Sequence, residues 1–240
     1  MDLLYILGTG STWANNELRM SLRSAHQFYS AVGKVVVVGY SPPWLVNIEH
    51  IACKDDRKLP LENLKTKLRV ALDSGKLNDG FLLMNDDFFF LRRMDSVPIY
   101  IKGRLLDSLS THGAKHTFYY RNMMDTLKFL QNKGTPDPLD FGIHAPMPLH
   151  PVLVDETLKS MGNRAVLFRT AYGNQHVRKA TCERTEDFKV KRSWSPPPAH
   201  WDFLSTDAHS AGGLRCSKWF VEKYPEPSPY ENPYILFPYW

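Results

Sequence analysis

The sequence predicts a single α/β domain, a mixed sheet flanked by helices, and two stretches carry that prediction. Near the N-terminus a strand, a glycine turn, a helix and a valine-rich strand follow one another, the βαβ unit that begins a doubly wound sheet. Further on, the apolar run Phe81-Leu82-Leu83-Met84 meets Asn85-Asp86-Asp87, and a second apolar run, Phe88-Phe89-Phe90-Leu91, follows. Short continuous apolar runs fit strands buried on both faces of a sheet. With 240 residues, 43% hydrophobic and 23% charged, the chain has room for one large α/β domain or two small ones and the composition of an ordinary globular protein.

Taken in order, residues 3–7 read as a buried strand and Gly8-Thr9-Gly10-Ser11 as a turn. A helix is expected over 16–32, capped by Asn15 or Asn16, with Leu18, Leu22, Ala25 and Tyr29 at helical spacing and Gly33 as its C-cap. Residues 34–39 hold four valines and form the next strand. Ser41-Pro42-Pro43-Trp44-Leu45 is a stiff turn, 48–53 a short strand, and 61–74 an amphipathic helix with Leu64, Leu68, Ala71 and Leu72 on one face. Residues 81–84 then deliver the acidic pair.

Beyond Asp95 the pattern loosens. Residues 97–101 fit a strand, 105–110 is ambiguous, and 118–132 and 152–161 read as helices. Lys189-Val190-Lys191-Arg192 and Ser195-Pro196-Pro197-Pro198 read as an exposed flap. The last stretch, 225–240, holds five prolines and five aromatics and is expected to lie extended over the body.

Three separated cysteines without a CxxC pair argue against a disulfide framework or a cysteine zinc site. No apolar run approaches the length needed to span a bilayer. The apolar start lacks a basic flank and breaks at Gly8, so a cytoplasmic protein is expected, in a bacterium or a phage-infected host. A net charge of +5 suits an anionic partner such as nucleotide phosphates, an acidic polymer or nucleic acid.

Two adjacent carboxylates between buried strands need a cation or a donor beside them. At the carboxyl end of a strand, where α/β sheets bind ligands, Asp86 and Asp87 can hold a divalent metal, and the metal a diphosphate. The alternative is a plain turn between two hairpin strands. Gly8, Gly10 and Ser11 offer backbone N–H groups to an anion beside a helix N-terminus, though without GxGxxG or a Walker lysine. Asp207 is a further ligand or base, or equally a helix N-cap. His144 suits a general base in a proline-stiffened loop, against the alternative of a structural histidine; His150 and His176 have weaker claims. Arg19 and Arg169 match phosphate oxygens in fork geometry. Lys65 and Lys67 read as an exposed charged face, with Lys65 within reach of donor phosphates. The tryptophans Trp194, Trp201, Trp219 and Trp240 read as packing. Lys189, Lys191 and Arg192 beside Trp194 also have the basic-plus-aromatic texture of nucleic-acid contacts.

Three stretches together resemble the Stealth-type sugar-phosphate transferases. They are Asn16-Glu17-Leu18-Arg19-Met20-Ser21-Leu22-Arg23-Ser24 with the valine strand and Pro42-Pro43-Trp44-Leu45; Asn85-Asp86-Asp87-Phe88-Phe89; and His144-Ala145-Pro146, Phe168-Arg169 and the run from Phe220 to Glu231. The resemblance implies a GT-A-like, Rossmann-like fold over 1–240, with a donor-binding half at 1–95 and an acceptor and catalytic half at 96–240. It implies Asn85-Asp86-Asp87 in a site for a nucleotide-sugar (a UDP-sugar) and Mn²⁺ or Mg²⁺, with Asn16, Gly8, Gly10, Ser11, Arg19 and Lys65 around the donor. It also puts His144 and Arg169 in the catalytic centre.

Two departures stand out. Thr12 stands where many members have an aspartate, and Lys65 and Lys67 are the nearest residues to a helical glutamate of the phosphotransferases. Both remove carboxylates, which favours glycosyl transfer over sugar-phosphate transfer. The acceptor is a glycan hydroxyl or a hydroxymethylated pyrimidine in DNA, as in phage-type DNA glycosyltransferases; a non-catalytic nucleotide-sugar or nucleic-acid binding protein is the other class.

Overall fold

The computed structural model describes residues 1–57, 59–190, 194–207 and 214–235. Its first elements are β1 (Asp2–Leu7), α1 (Asn16–Phe28), β2 (Val35–Gly39), β3 (Glu49–Ile51), α2 (Pro60–Asp73), β4 (Phe81–Met84), β5 (Phe88–Phe90), β6 (Ile99–Ile101) and β7 (Gly103–Arg104). They continue with α3 (Leu105–Thr111), α4 (Phe118–Asn132), β8 (Leu139–Asp140), β9 (Met147–Leu149), α5 (Pro151–Met161) and α6 (Phe168–His176). The last are β10 (Cys182–Arg184), β11 (Lys189–Val190), β12 (Phe203–Thr206) and α7 (Leu214–Lys223).

The main sheet runs β3-β2-β1-β4-β9, with β1 to β4 parallel and β9 antiparallel, so the α/β class expected from the sequence holds. Its valines show why. Val35 and Val37 pack into one core with Leu3, Tyr5 and Leu7, while Val36 and Val38 pack into the other with Leu4 and Leu68. The period of two sends alternate residues to opposite faces, and helices cover both. From β1 the chain moves to β2 on one side and later returns to β4 on the other. That reversal of strand order is a topological switch point, where open α/β sheets leave a crevice.

The chain does not turn back on itself after β4. β5 leaves for a second sheet, β11-β12-β5, in which Phe88 lies opposite Ser205 and Lys189 opposite Ser205 on its other side. The hairpin alternative therefore fails, because β4 and β5 belong to different sheets. Helix α1 fastens this corner through small hydroxyl residues. Ser21 Oγ donates to the Phe88 carbonyl at 2.5 Å, and Phe90 N–H donates to Ser24 Oγ at 3.0 Å.

Several boundaries differ from expectation. Helix α1 stops at Phe28, not Val32, because Tyr29 goes extended, bridges to Met94 and stacks on Phe90. Tertiary pairing outweighs the helical period there. The N-terminal cap is not an asparagine side chain either: Asn15 is left-handed and makes no side-chain cap bond, and Ser11 Oγ accepts from the Trp13 and Asn15 N–H groups instead. The ambiguous 105–110 stretch is the helix α3. Gly39, at φ 118°, is where glycine is required, since a Cβ would lie 2.0 Å from the Leu7 carbonyl oxygen.

The described part of the C-terminal stretch, residues 225–235, is not extended throughout but turns at Ser228–Glu231 and at Asn232–Ile235, and residues 236–240, Trp240 among them, lie outside the described set. Val46 N–H donates to the Tyr230 carbonyl and Asn232 N–H to that of Trp44, so this strap pairs with the Pro42–Leu45 turn. Its anchor is Glu231, 7% exposed, which takes a two-pronged bond from Arg23 at 2.8 Å on each oxygen and a third contact from Arg19 at 3.3 Å. Ser228 N–H and Oγ donate to the same carboxylate. Removing one partner of a buried ion group strands the others, at about 3–5 kcal/mol. Glu231→Ala should therefore lower stability by about 3 kcal/mol or more in urea unfolding; an unchanged midpoint would show that the strap does not depend on this anchor.

Candidate functional site

The switch point and the corner after β4 open onto one cleft of about 390 Å³, lined by Gly8, Gly10, Ser11, Glu17, Asp86, Asp87, Lys189, Thr206 and Asp207. The glycine turn follows β1, the acidic pair follows β4, and the strands are parallel neighbours, so both turns leave the same sheet edge. Glu17 sits one helical turn before Ser21, and the Ser21–Phe88 bond brings it over the acidic pair.

The carboxylates of this cleft repel one another. Burial, then Asp87 and Glu17, push Asp86 up to about 7. Burial and Asp87 raise Glu17 as well, against the Ser11 Oγ bond it accepts at 2.9 Å. Asp87 accepts from Ser205 Oγ at 2.6 Å and lies 3.9 Å from Lys189 Nζ. Thr206 lines the cleft, and its buried Oγ1, like both side-chain amide atoms of the buried Asn16, has no hydrogen-bond partner among the described residues. Among the described residues no three His, Cys, Asp or Glu side chains are grouped to hold a metal ion.

A second cleft of about 720 Å³ adjoins the first. Lys189 lines both, with His144, Asp187, Lys102, Asp140, Tyr119 and the α3–α4 connection on the far side. His144 is part of a dyad: its Nδ1 lies 2.8 and 2.9 Å from the two Asp187 oxygens, and its own N–H donates to Asp187 as well. Burial opposes the charge on Asp187, but His144 and Lys102, whose Nζ is 3.1 Å away, hold it well below the usual carboxylate range. The bond puts the neutral ring's proton on Nδ1 and leaves the Nε2 lone pair to accept one.

Arg169 supports this histidine instead of reaching into the first cleft. Its two terminal nitrogens donate to the carbonyls of Ile143 and Ala145, on either side of His144, and its guanidinium stacks over Phe88. Burial lowers it to about 10, with Asp187 and Asp87 opposing.

The structure thus brings together Gly8, Gly10, Ser11, Asp86, Asp87 and Asp207, and sets His144 and Arg169 beside them. It does not bring in three others, the first being Asn16, which is buried at 1% exposure and does not line the cleft. Arg19 is 2% exposed, turned to Glu231 and stacked on Trp44. Lys65 donates to the Gly162 and Arg164 carbonyls and lines a different depression. Lys67 is buried, not surface, bonded to the Leu7 carbonyl and Asp55. Lys189 belongs to a strand, not an exposed flap, and Trp194 packs on Trp219 and Phe220; Lys191 and Arg192 lie outside the described residues. The residues not singled out from sequence are Glu17, Asp187, Lys189 as a cleft residue, and Thr206. Glu17 supplies a carboxylate where Thr12 and Lys65 suggested a deficit.

No family model and no curated protein matches this sequence. Among solved structures, mouse xyloside xylosyltransferase 1 in its apo form is similar over 97% of this chain and 96% of that chain, at 11% identity and a TM-score of 0.34. No described helix is long and apolar enough to cross a membrane.

A carboxyl raised from 3.8 to about 7 favours folding while protonated, and that advantage is lost as pH rises through about 7. Asp86→Asn should therefore raise Tm by several degrees at about pH 8, with the gain vanishing below about pH 4, where both side chains are neutral. A gain independent of pH would show that carboxylate crowding is not its cause.

Proposed function

We propose that the protein is a glycosyltransferase that moves a sugar from a nucleotide-sugar, a UDP-sugar in the first instance, to an acceptor hydroxyl. The observation that carries this reading is the pairing of two adjoining clefts: an acidic corner facing a glycine turn at the sheet's switch point, and a histidine–carboxylate dyad next to it. Residues 1–95 supply most of the donor side and 96–240 the acceptor side.

In this reading the Gly8–Ser11 backbone and the α1 N-terminus receive the donor's phosphates. Asp86 and Asp87 would hold Mn²⁺ or Mg²⁺. Mg²⁺ commonly takes one or two carboxylates and completes its shell from substrate phosphates, and Asp86 and Asp87, crowded with Glu17 in one cleft, offer that number. The ion supplies charge neutralisation to the leaving diphosphate when bound. Asp86, raised by burial and by Asp87 and Glu17, would be relieved of that repulsion by a cation held there. His144 Nε2 takes the acceptor's proton, Asp187 stabilises the imidazolium that results, and Arg169 holds the loop that aims it. The acceptor is a glycan hydroxyl or a hydroxymethylated pyrimidine in DNA.

Sugar-1-phosphate transfer to a glycan is the second reading. Glu17 favours it, because it restores a carboxylate to the cleft and so weakens the sequence argument for glycosyl transfer.

Turnover of a UDP-sugar panel should require Mn²⁺ or Mg²⁺. Asp86→Ala and Asp87→Ala should lower it about 100-fold, and His144→Ala should cut transfer about 100-fold or more. Undiminished turnover in the aspartate variants would sink the assignment. The product, free nucleoside diphosphate or monophosphate, separates glycosyl from sugar-phosphate transfer. For a DNA acceptor, binding should weaken steeply with salt; salt-independent binding removes that acceptor.

A further inference from the structure

We infer that Lys189 is a catalytic residue of the transfer, the cation that receives the departing diphosphate at the boundary between the two clefts. The inference rests on the donor reading above and deepens it.

Lys189 is the cationic side chain among the described residues lining the first cleft, and it also lines the second. Its side chain is 19% exposed, and its Nζ stands 3.9 Å from Asp87 Oδ2, longer than a direct hydrogen bond. The ammonium is thus held near the acidic corner by charge while keeping donors for a ligand. Its placement is fixed by backbone pairing: β11 runs beside β12 with Lys189 opposite Ser205, the residue that donates to Asp87.

The same short segment carries the partner of His144. Asp187 and Lys189 alternate with Phe188 and Val190, which are buried in the core, so the two charged side chains face the clefts. One short segment, β11 and the two residues before it, therefore sets both ends of the reaction. The C1–O bond to the diphosphate breaks and its electron pair passes to the diphosphate oxygen beside Lys189. The acceptor oxygen forms the new bond to C1, and its proton passes to His144 Nε2, held by Asp187.

The test is calorimetric titration of the full chain with UDP, GDP, CDP and ADP, and with uridine, in the presence of Mg²⁺. It compares native protein with Lys189→Met and Lys189→Arg, with folding checked by circular dichroism. A charged hydrogen bond lost from a phosphate weakens binding about tenfold or more. Lys189→Met should lose that much affinity for the preferred diphosphate and none for the nucleoside, while Lys189→Arg keeps most of it. In turnover, Lys189→Met should lower kcat more than it raises the donor KM. Equal diphosphate affinity and kcat in native and Lys189→Met protein would overturn the role of Lys189 and leave the donor site standing. No binding of any of the four diphosphates to native protein would overturn both.

Discussion

Glu17, Asp86 and Asp87 face one partly buried cleft, and their mutual repulsion is the constraint around which the neighbouring structure is arranged. Like charges brought out of water disfavour ionisation and strain the fold that holds them. Each carboxylate here has a dedicated partner or is displaced toward its neutral form. Glu17 accepts from Ser11, Asp87 from Ser205 with Lys189 behind it, and Asp86 shifts up to about 7. The same partners tie elements together: the β1 turn to α1, and the acidic corner to β12 and β11. Helix α1 completes the arrangement through Ser21 and Ser24, whose small side chains let it lie close on the β5 backbone. A site that stores repulsion in this way gains from any ligand that brings positive charge.

Arginines answer the opposite problem. A buried guanidinium needs acceptors in plane, and a carboxylate or a pair of carbonyls provides them. Arg23 and Arg19 converge on Glu231 and close the C-terminal strap over the Pro42–Leu45 turn. Arg169 spans the Ile143 and Ala145 carbonyls, which a lysine, with one point of charge, could not hold in the same fork. The fork geometry that suggested phosphate binding is thus used inside the protein, in one case to fasten a strap and in the other to set the loop bearing His144.

How much of this was legible in the sequence depended on the range of the interaction. The valine strand and the acidic corner were readable because burial on both faces and a strand-end carboxylate pair are local signals. The end of α1 was not, because Tyr29 answers to Met94 and Phe90. Glu231 lies 208 residues from Arg23, and no local pattern announces that pairing. Asp187 and Lys189 did carry a signal: Asp187-Phe188-Lys189-Val190 alternates polar and apolar, the pattern of a half-buried strand. The neighbouring basic and proline-rich residues masked it and suggested a flap. Lys65 failed for a simpler reason, since helical phase alone does not say which end of a sheet a helix faces.

These placements narrow what can meet an anionic ligand. Arg19 is turned to the strap, Arg169 to the His144 loop, Lys65 to the Gly162 and Arg164 carbonyls just after α5 and Lys67 to Asp55 and Leu7. Each already bonds to acceptors within the protein, so bringing any of them to a phosphate would break bonds that hold the fold. Lys189 differs in kind. Its contact with Asp87 is long, its strand is pinned by backbone pairing, and moving its flexible side chain toward a ligand costs no ladder bond. A cation so placed balances Asp87, and on the proposed reading it would exchange that partner for a donor phosphate. The exchange needs another positive charge to take over at Asp87, which is the position Mn²⁺ or Mg²⁺ would fill. On the proposed reading the acidic pair and the lysine make a single electrostatic unit, in which metal and diphosphate would bind better together than either would alone.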